Sequence, residues 1–207
     1  KDLISGSPGF GASGDPQRGR VHIVSNANSS APSSFALLGL ETYGRFGQEC
    51  VVKDMNQDGV LDLIVSAPSV EGKDLVQVAG NYTGRVYIYF GPVVASSVPN
   101  VTISSKVRFA AIGHSLHVIN RCAGTSTPTL AIGSRYFGDQ STTYQAGAVA
   151  LFAARSSWKA TYTFETDASF LIKAPKSFSW FGSAFASECI QLKNQTSSTP
   201  LLIVSSP

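Results

Sequence analysis

Charged side chains are scarce in this sequence of 207 residues: Asp, Glu, Lys and Arg make up 14% of it, against roughly 25% in an average domain. The net charge is only +3 and the basic residues are scattered, so we expect neither a nucleic-acid partner nor an anionic membrane partner. No apolar run approaches the roughly 18 residues of a transmembrane segment. These features exclude coiled coils, basic nucleic-acid-binding arms and charge-rich disordered tails.

Cysteine is also rare, with Cys50, Cys122 and Cys189 as its three occurrences. None of them belongs to a C-x-x-C motif, which argues against a zinc ribbon or a redox site. The odd number leaves at least one cysteine unpaired within this chain. We expect buried or structural cysteines, with a Cys122–Cys189 disulfide as the alternative.

Four N-x-Ser/Thr sequons make asparagines candidates for glycosylation. They begin at Asn28, Asn81, Asn100 and Asn194. Together with the low charge and the abundance of Ser, Thr and Asn, they favour an extracellular, secreted protein. No signal peptide is visible at the start of the sequence.

Three short phrases recur along the chain. The first contains an apolar run and ends in Ser-Pro, Ala-Pro or a degenerate equivalent, in the ranges 2–8, 62–68, 129–135 and 201–207. The second is Gly-Arg-Val or Gly-Ala-Val followed by apolar residues, in the ranges 19–24, 84–89 and 147–152. The third is Phe-Gly or Ile-Gly, at Phe46-Gly47, Ile112-Gly113 and Phe181-Gly182. These β-branched and aromatic phrases between turn residues are typical of strands, and no stretch has the apolar spacing and caps of a helix.

A unit of this repeat contains enough strands for one propeller blade. We predict that Phe35–Leu40, Val101–Ser104 and Thr161–Phe164 supply the fourth strand of successive four-stranded units. The predicted units are roughly 1–42, 43–108, 109–178 and 179–207, the first and last incomplete, within a single domain. Because one blade cannot bury both faces of its sheet, we predict about three blade equivalents of a larger ring. A complete, differently closed small β domain is the alternative.

One loop has the acidic and amide residues of a metal-binding site. Asp54 to Asp62 fits the pattern D-x-N-x-D-G-x-x-D, which places oxygen ligands as an EF-hand loop does. The predicted Ca²⁺ ligands are the side chains of Asp54, Asn56, Asp58 and Asp62 and the backbone carbonyl of Val60. An EF-hand would have Glu at the position of Val65, and strand-like flanks replace its helices. We therefore predict a structural Ca²⁺ loop that closes a β-hairpin; an acidic turn without metal is the alternative.

The equivalent loops of the later units contain no carboxylate between their predicted strands, so we expect one calcium site in this chain. These loops are Asn120–Thr125 and Cys189–Thr199.

Other motifs are weak. The loop Gly9–Gly14 matches G-x-G-x-x-G, but Asp15-Pro16 follows it as a turn, whereas a dinucleotide site needs a helix there. His22, His114 and His117 are expected to be packing or surface residues. Four aromatics form either a ligand patch or, as the favoured interpretation, part of the blade packing. They are Tyr87, Tyr89, Trp180 and Phe181.

The phrases together resemble the FG-GAP repeats of integrin-α-type seven-bladed propellers, with Phe46-Gly47 as FG, Ser66-Ala67-Pro68 as GAP and the acidic loop between them. The order of Tyr43–Gly47, Gly84–Gly91 and Phe178–Gly182 is similar to that in the C-terminal propellers of glycosylphosphatidylinositol (GPI)-specific phospholipases D.

This resemblance implies a secreted, glycosylated parent hydrolase that cleaves GPI anchors, with zinc confined to a catalytic domain outside this chain. No catalytic residue of that domain maps onto the sequence. The implied partners are the remaining blades, the catalytic domain, and a protein or GPI-anchored ligand. An integrin-α-like adhesion module that binds a protein is the alternative.

Overall fold

The computed structural model describes residues 2–28, 30–71, 82–120, 127–138, 143–191 and 198–206. Within these ranges the regular structure consists of 14 β-strands, which confirms the prediction of an all-β fold. No helix in the described ranges is long and apolar enough to cross a membrane.

The strands form four separate sheets, most of whose neighbours pair antiparallel. Sheet 1 contains β1 (Leu3–Ser7), β2 (Arg20–Ser25) and β3 (Ser33–Leu38). Sheet 2 contains β4 (Cys50–Lys53), β5 (Asp62–Ala67), β6 (Arg85–Tyr89), β7 (Val101–Ser104) and β11 (Thr161–Thr163). Sheet 3 contains β8 (Ser115–Ile119), β9 (Thr129–Ser134), β10 (Ala148–Ala153) and β12 (Phe170–Lys173). Sheet 4 contains β13 (Phe185–Gln191) and β14 (Ser198–Val204).

Two of the three recurring phrases fall on strands, and the third lies just before them. The first phrase lies on β1, β5, β9 and β14, and the second on β2, β6 and β10. One or two residues separate each Phe-Gly or Ile-Gly pair from β4, β8 or β13, and these three strands contact one another in succession. Sheets that meet along their first strands give the propeller-like fold that the repeats predict.

The predicted fourth strand of the third unit is wrong. Thr161–Thr163 pairs parallel with β7 of sheet 2, and the strand that completes sheet 3 is β12, which pairs with β10. The physical reason is burial, because Tyr162 and Phe164 insert into the core between sheets 2 and 3. The true fourth strand, β12, is largely exposed although three of its four residues are apolar, so apolar character alone does not identify the strand that completes the sheet.

Two apolar cores lie on the opposite faces of sheet 2. Along β5, Leu63 and Val65 pack into the core shared with sheet 1, whereas Ile64 packs into the core shared with sheet 3. Tyr87 and Ile88 on β6 divide in the same way. Successive residues of a strand point to opposite faces, so a strand that is apolar at both faces is buried between two neighbouring blades.

A repeated glycine contact joins each sheet to the next. Gly19, Gly84 and Gly147 form parallel bridges with Phe46, Ile112 and Phe181. All three glycines have positive φ, at 83°, 78° and 93°. The backbone N–H of Ile112 donates to the Thr83 carbonyl at 3.0 Å, and the other two junctions have equivalent bonds. The glycine of the second phrase thus positions the FG pair of the following unit.

Candidate calcium-binding loop

The acidic loop joins the first two strands of sheet 2. Lys53 pairs with Asp62 at the end of the hairpin formed by β4 and β5, so the residues between them form the connection. Gln57 and Gly59 adopt positive φ, at 64° and 87°. No atom lies within 4 Å of a Cβ added at Gly59; its backbone conformation, not crowding, favours glycine there. The prediction of a hairpin loop is confirmed.

Side chains of the first half of the loop fold back onto its own backbone. The Asp54 carboxylate accepts the N–H of Gln57 at 2.6 Å and that of Gly59 at 3.0 Å. The Asn56 side-chain oxygen accepts the Asp58 N–H at 3.2 Å, and Asp58 accepts the Val60 N–H at 2.8 Å. These bonds turn the side-chain oxygens of alternate residues back over the loop.

Asp62 occupies a different environment, because it is fully buried. Its carboxylate accepts three backbone N–H groups, those of Met55 at 2.7 Å, Asn56 at 3.2 Å and Gly91 at 3.0 Å. Burial raises the pKa of Asp62 above its ordinary value, and the three N–H bonds oppose that rise, while the nearby Asp58 charge adds to it. A nearby divalent cation would favour the ionised form of this carboxylate.

The donor set fits Ca²⁺ in its chemistry. Carboxylate, amide and carbonyl oxygens are the ligands of a hard cation, and none of the five predicted donors is nitrogen or sulfur. Val60 would contribute only its backbone carbonyl, and its side chain is exposed. In the described residues no three His, Cys, Asp or Glu side chains are grouped so as to hold a metal. The side-chain oxygens instead bond loop N–H groups, so calcium would have to draw them together.

Contacts that the sequence did not reveal tie this loop to the neighbouring sheet. The Met55 carbonyl accepts the Arg155 backbone N–H at 3.0 Å and the Trp158 Nε1–H at 2.9 Å. Gln57 donates its side-chain N–H to the Ala154 carbonyl at 3.0 Å. The Met55 side chain itself is fully buried in the core between sheets 2 and 3. The conformation of the loop is therefore coupled to the packing of two sheets.

The candidate glycosylation sites that the structure describes lie at the surface, and two of the four candidate aromatic residues lie in the core. Asn28 and Asn100 are exposed, and the Asn100 Oδ1 accepts the Phe90 N–H at 2.8 Å. Asn81 and Asn194 lie outside the described residues, as do most of the two later loops, 121–126 and 192–197. Tyr87 and Tyr89 are buried in the core.

The cysteines have different states. Cys50 is a free, partly buried thiol whose pKa burial raises to about 12. Cys189 is disulfide-bonded, and Cys122 lies outside the described residues.

The weak motifs adopt structural roles. The Gly9–Gly14 loop continues into a bridge between Ala12 and Asp15 instead of a helix. Burial, and then the charges of Arg135 and Arg45, lower the pKa of His114 to about 4. His117 Nε2 lies 2.7 Å from Ser187 Oγ on the neighbouring first strand.

Comparison with known proteins connects the whole chain to one group of enzymes. Residues 47–89 match the FG-GAP repeat. The chain is 34% identical over 218 residues to the phosphatidylinositol-glycan-specific phospholipase D of Bos taurus, and 33% identical over 218 residues to that of Homo sapiens. Both alignments cover 100% of this chain and 24% of the relative. The corresponding protein of Dictyostelium discoideum is 31% identical over 227 residues, with 98% of this chain and 23% of the relative covered.

Proposed function

From the FG-GAP repeat and the similarity to a segment of these phospholipases D, we propose that the chain is a non-catalytic, calcium-binding propeller segment of a GPI-specific phospholipase D-like hydrolase. The observation that carries this proposal is the extent of the similarity, which covers 100% of the chain in the mammalian relatives. The chain spans 24% of their length, so the hydrolysis of GPI anchors would belong to a parent protein in which this segment stabilises or presents other parts.

We also propose that the parent protein is secreted. The disulfide at Cys189 is of the kind that persists in oxidising compartments. Asn28 and Asn100 are exposed and begin sequons, so each could accept a glycan. A glycan attached at Nδ2 of Asn100 would leave the Oδ1 bond to the Phe90 N–H in place.

The proposed role of calcium is structural. One ion would compensate the charges of Asp54, Asp58 and Asp62, of which Asp62 is buried. It would also fix the loop that presents the Met55 carbonyl to Arg155 and Trp158, which lie in the connection that follows β10 of sheet 3. Calcium binding in this loop should therefore stabilise the contact between sheets 2 and 3.

We expect calcium to raise the melting temperature of the protein and a chelator to reverse that rise, because the ion binds only the folded loop. Asp58→Ala should remove most of this calcium response, whereas Asp15→Ala should leave it intact. Asp15 is a suitable control because it pairs with Arg18 at 2.8 Å, in a different sheet connection. Differential scanning calorimetry with calcium and with EDTA measures the response, and equal losses in the two variants would contradict the proposed ligands.

A second experiment separates the structural role from catalysis. In the intact protein, Asp58→Ala should leave the rate of release of a GPI-anchored reporter unchanged at temperatures well below unfolding. On heating, the variant should lose this activity at a lower temperature than the wild-type protein. A loss of turnover with an unchanged melting curve would place the loop in the catalytic machinery. An intact wild-type protein that releases no GPI-anchored reporter would instead contradict the hydrolase assignment and favour a protein-binding module.

A further inference from the structure

A cavity of about 400 Å³ opens at the end of the sheets opposite the acidic loop. The acidic loop lies where Lys53 pairs with Asp62, and Cys50 pairs with Val65 toward the other end of the same hairpin. Pro68 and Ser69, which follow β5 at that other end, line the cavity. The cavity is therefore distinct from the proposed calcium site.

Aromatic rings dominate the walls of this cavity. Tyr82, Phe109, Tyr136 and Tyr144 all line it. Tyr82, Phe109 and Tyr144 are 41%, 39% and 44% exposed, so parts of their rings remain accessible to a ligand. Large apolar rings left in solvent around a concave surface are typical of a binding site.

The backbone holds the rings in place through the contacts that join the sheets. The Ala111 N–H donates to the Tyr82 carbonyl at 3.1 Å, which fixes Tyr82 beside the turn that carries Phe109. On the other side, the Phe178 N–H donates to the Tyr144 carbonyl at 2.9 Å, and the two rings meet edge to face at 5.5 Å. A preorganised wall reduces the entropy lost on binding.

The polar groups of the cavity restrict the class of ligand. Six of the ten described residues that line the cavity have side chains that form hydrogen bonds, which disfavours a lipid acyl chain. Within the part of the lining that the structure describes, Arg108 is the only charged residue, so a cationic ligand of the kind bound by aromatic cages is also disfavoured. The Gln145 Oε1 accepts the Trp180 Nε1–H at 3.2 Å, and its Nε2 makes no hydrogen bond to the residues that the structure describes. The cavity thus suits a neutral or anionic ligand with one apolar face and several hydroxyls.

We propose that this cavity binds a pyranose ring of a carbohydrate. The C–H face of the sugar would stack on Tyr82 or Tyr144, and its hydroxyls would bond to Gln145, Ser69 and the tyrosine hydroxyls. The volume of about 400 Å³ lies within the range of small-molecule sites, roughly 300–1,000 Å³. This inference goes beyond the proposed function and does not depend on calcium or on hydrolysis.

Saturation-transfer difference NMR on the intact protein tests the proposal with three separate sugars: methyl α-mannoside, N-acetylglucosamine and glucose 6-phosphate. At least one sugar should receive saturation at its ring C–H protons, with a Kd on the order of millimolar, as the ligand efficiency of such small molecules allows. The phosphorylated sugar distinguishes an anionic from a neutral ligand. Adenosine and inorganic phosphate serve as competitors.

Tyr82→Ala should weaken sugar binding about fivefold or more, because stacking on an aromatic ring is worth roughly 1 kcal/mol. Tyr82→Phe keeps the ring and should retain most of the binding. Tyr43→Ala is the matched control, since Tyr43 is 53% exposed, lies on the turn equivalent to that of Phe109 and does not line the cavity. Tyr144→Ala provides a second variant if Tyr82→Ala does not fold.

Three results would overturn the proposal. They are the absence of saturation for all three sugars, equal effects of Tyr82→Ala and Tyr43→Ala in folded proteins, and displacement of the sugar by inorganic phosphate alone or by adenosine. None of them bears on the release of a GPI-anchored reporter or on the melting response to calcium, so failure here is separable from failure of the proposed function.

Discussion

Gly84→Ala is expected to destabilise the chain by about 3 kcal/mol or more, because it combines two large penalties. A Cβ at this position would lie 2.4 Å from the Ile112 nitrogen and 2.5 Å from its oxygen. Both atoms belong to backbone that cannot rotate away. The residue also has a φ of +78°, which costs a non-glycine residue roughly 1 kcal/mol. Urea unfolding followed by circular dichroism measures the change.

Gly14→Ala is the matched control for this prediction. Gly14 has a φ of +91°, and no atom lies within 4 Å of its added Cβ. It should therefore cost only the backbone strain, roughly 1 kcal/mol. Similar losses in the two variants would mean that the close approach of Gly84 to Ile112 does not hold sheets 2 and 3 together.

Asp62→Ala should lower the free energy of unfolding by about 3 kcal/mol, because an unsatisfied buried hydrogen-bond donor costs roughly 1–3 kcal/mol. The Met55, Asn56 and Gly91 N–H groups would lose their common acceptor, and unsatisfied donors in the interior are costly. Asp58→Ala, at an exposed position, should cost much less in EDTA. Denaturant unfolding of both variants in EDTA makes the comparison, and equal losses would contradict the anchoring role of Asp62.

The pH dependence of stability offers a separate test of Asp62. Because burial raises its pKa in the folded state, the native protein binds this proton more tightly than the unfolded chain. The protonated carboxyl therefore stabilises the folded protein at a pH below the ordinary pKa of aspartate. This stabilisation is lost as the pH rises through the pKa of the folded state. Asp62→Asn should remove this loss in EDTA, and calcium should reduce it in the wild-type protein. An unchanged pH profile in Asp62→Asn would contradict the pKa shift.

Strands could be predicted from the sequence where a run of apolar residues is buried within its own sheet. The Gly-Arg-Val phrase of residues 84–89 and the run of residues 62–68 each became a buried strand, because both faces of sheet 2 are covered. The prediction was wrong where apolar residues are buried against a different sheet. Tyr162 and Phe164 are buried through contact with the preceding sheet, and a pattern of apolar residues does not specify which sheet will cover them.

The loop of the candidate calcium site could be predicted from the sequence, but its contacts with the rest of the protein could not. The spacing from Asp54 to Asp62 predicts a hairpin loop, and the hairpin forms. The hydrogen bonds of Met55 with Arg155 and Trp158 join residues about a hundred positions apart. No local sequence pattern can therefore predict them. The aromatic cavity was missed for the same reason, since Tyr82 and Tyr144 meet there only once the units are stacked.

We propose that one Ca²⁺ ion binds the loop between β4 and β5. A crystal structure of the protein grown in millimolar calcium, with anomalous scattering to identify the ion, would reveal its presence and its ligands. We expect a single ion at about 2.3–2.6 Å from oxygens of Asp54, Asn56, Asp58 and Asp62 and from the Val60 carbonyl. A well-ordered loop that keeps its present hydrogen bonds and contains no ion at that calcium concentration would contradict it.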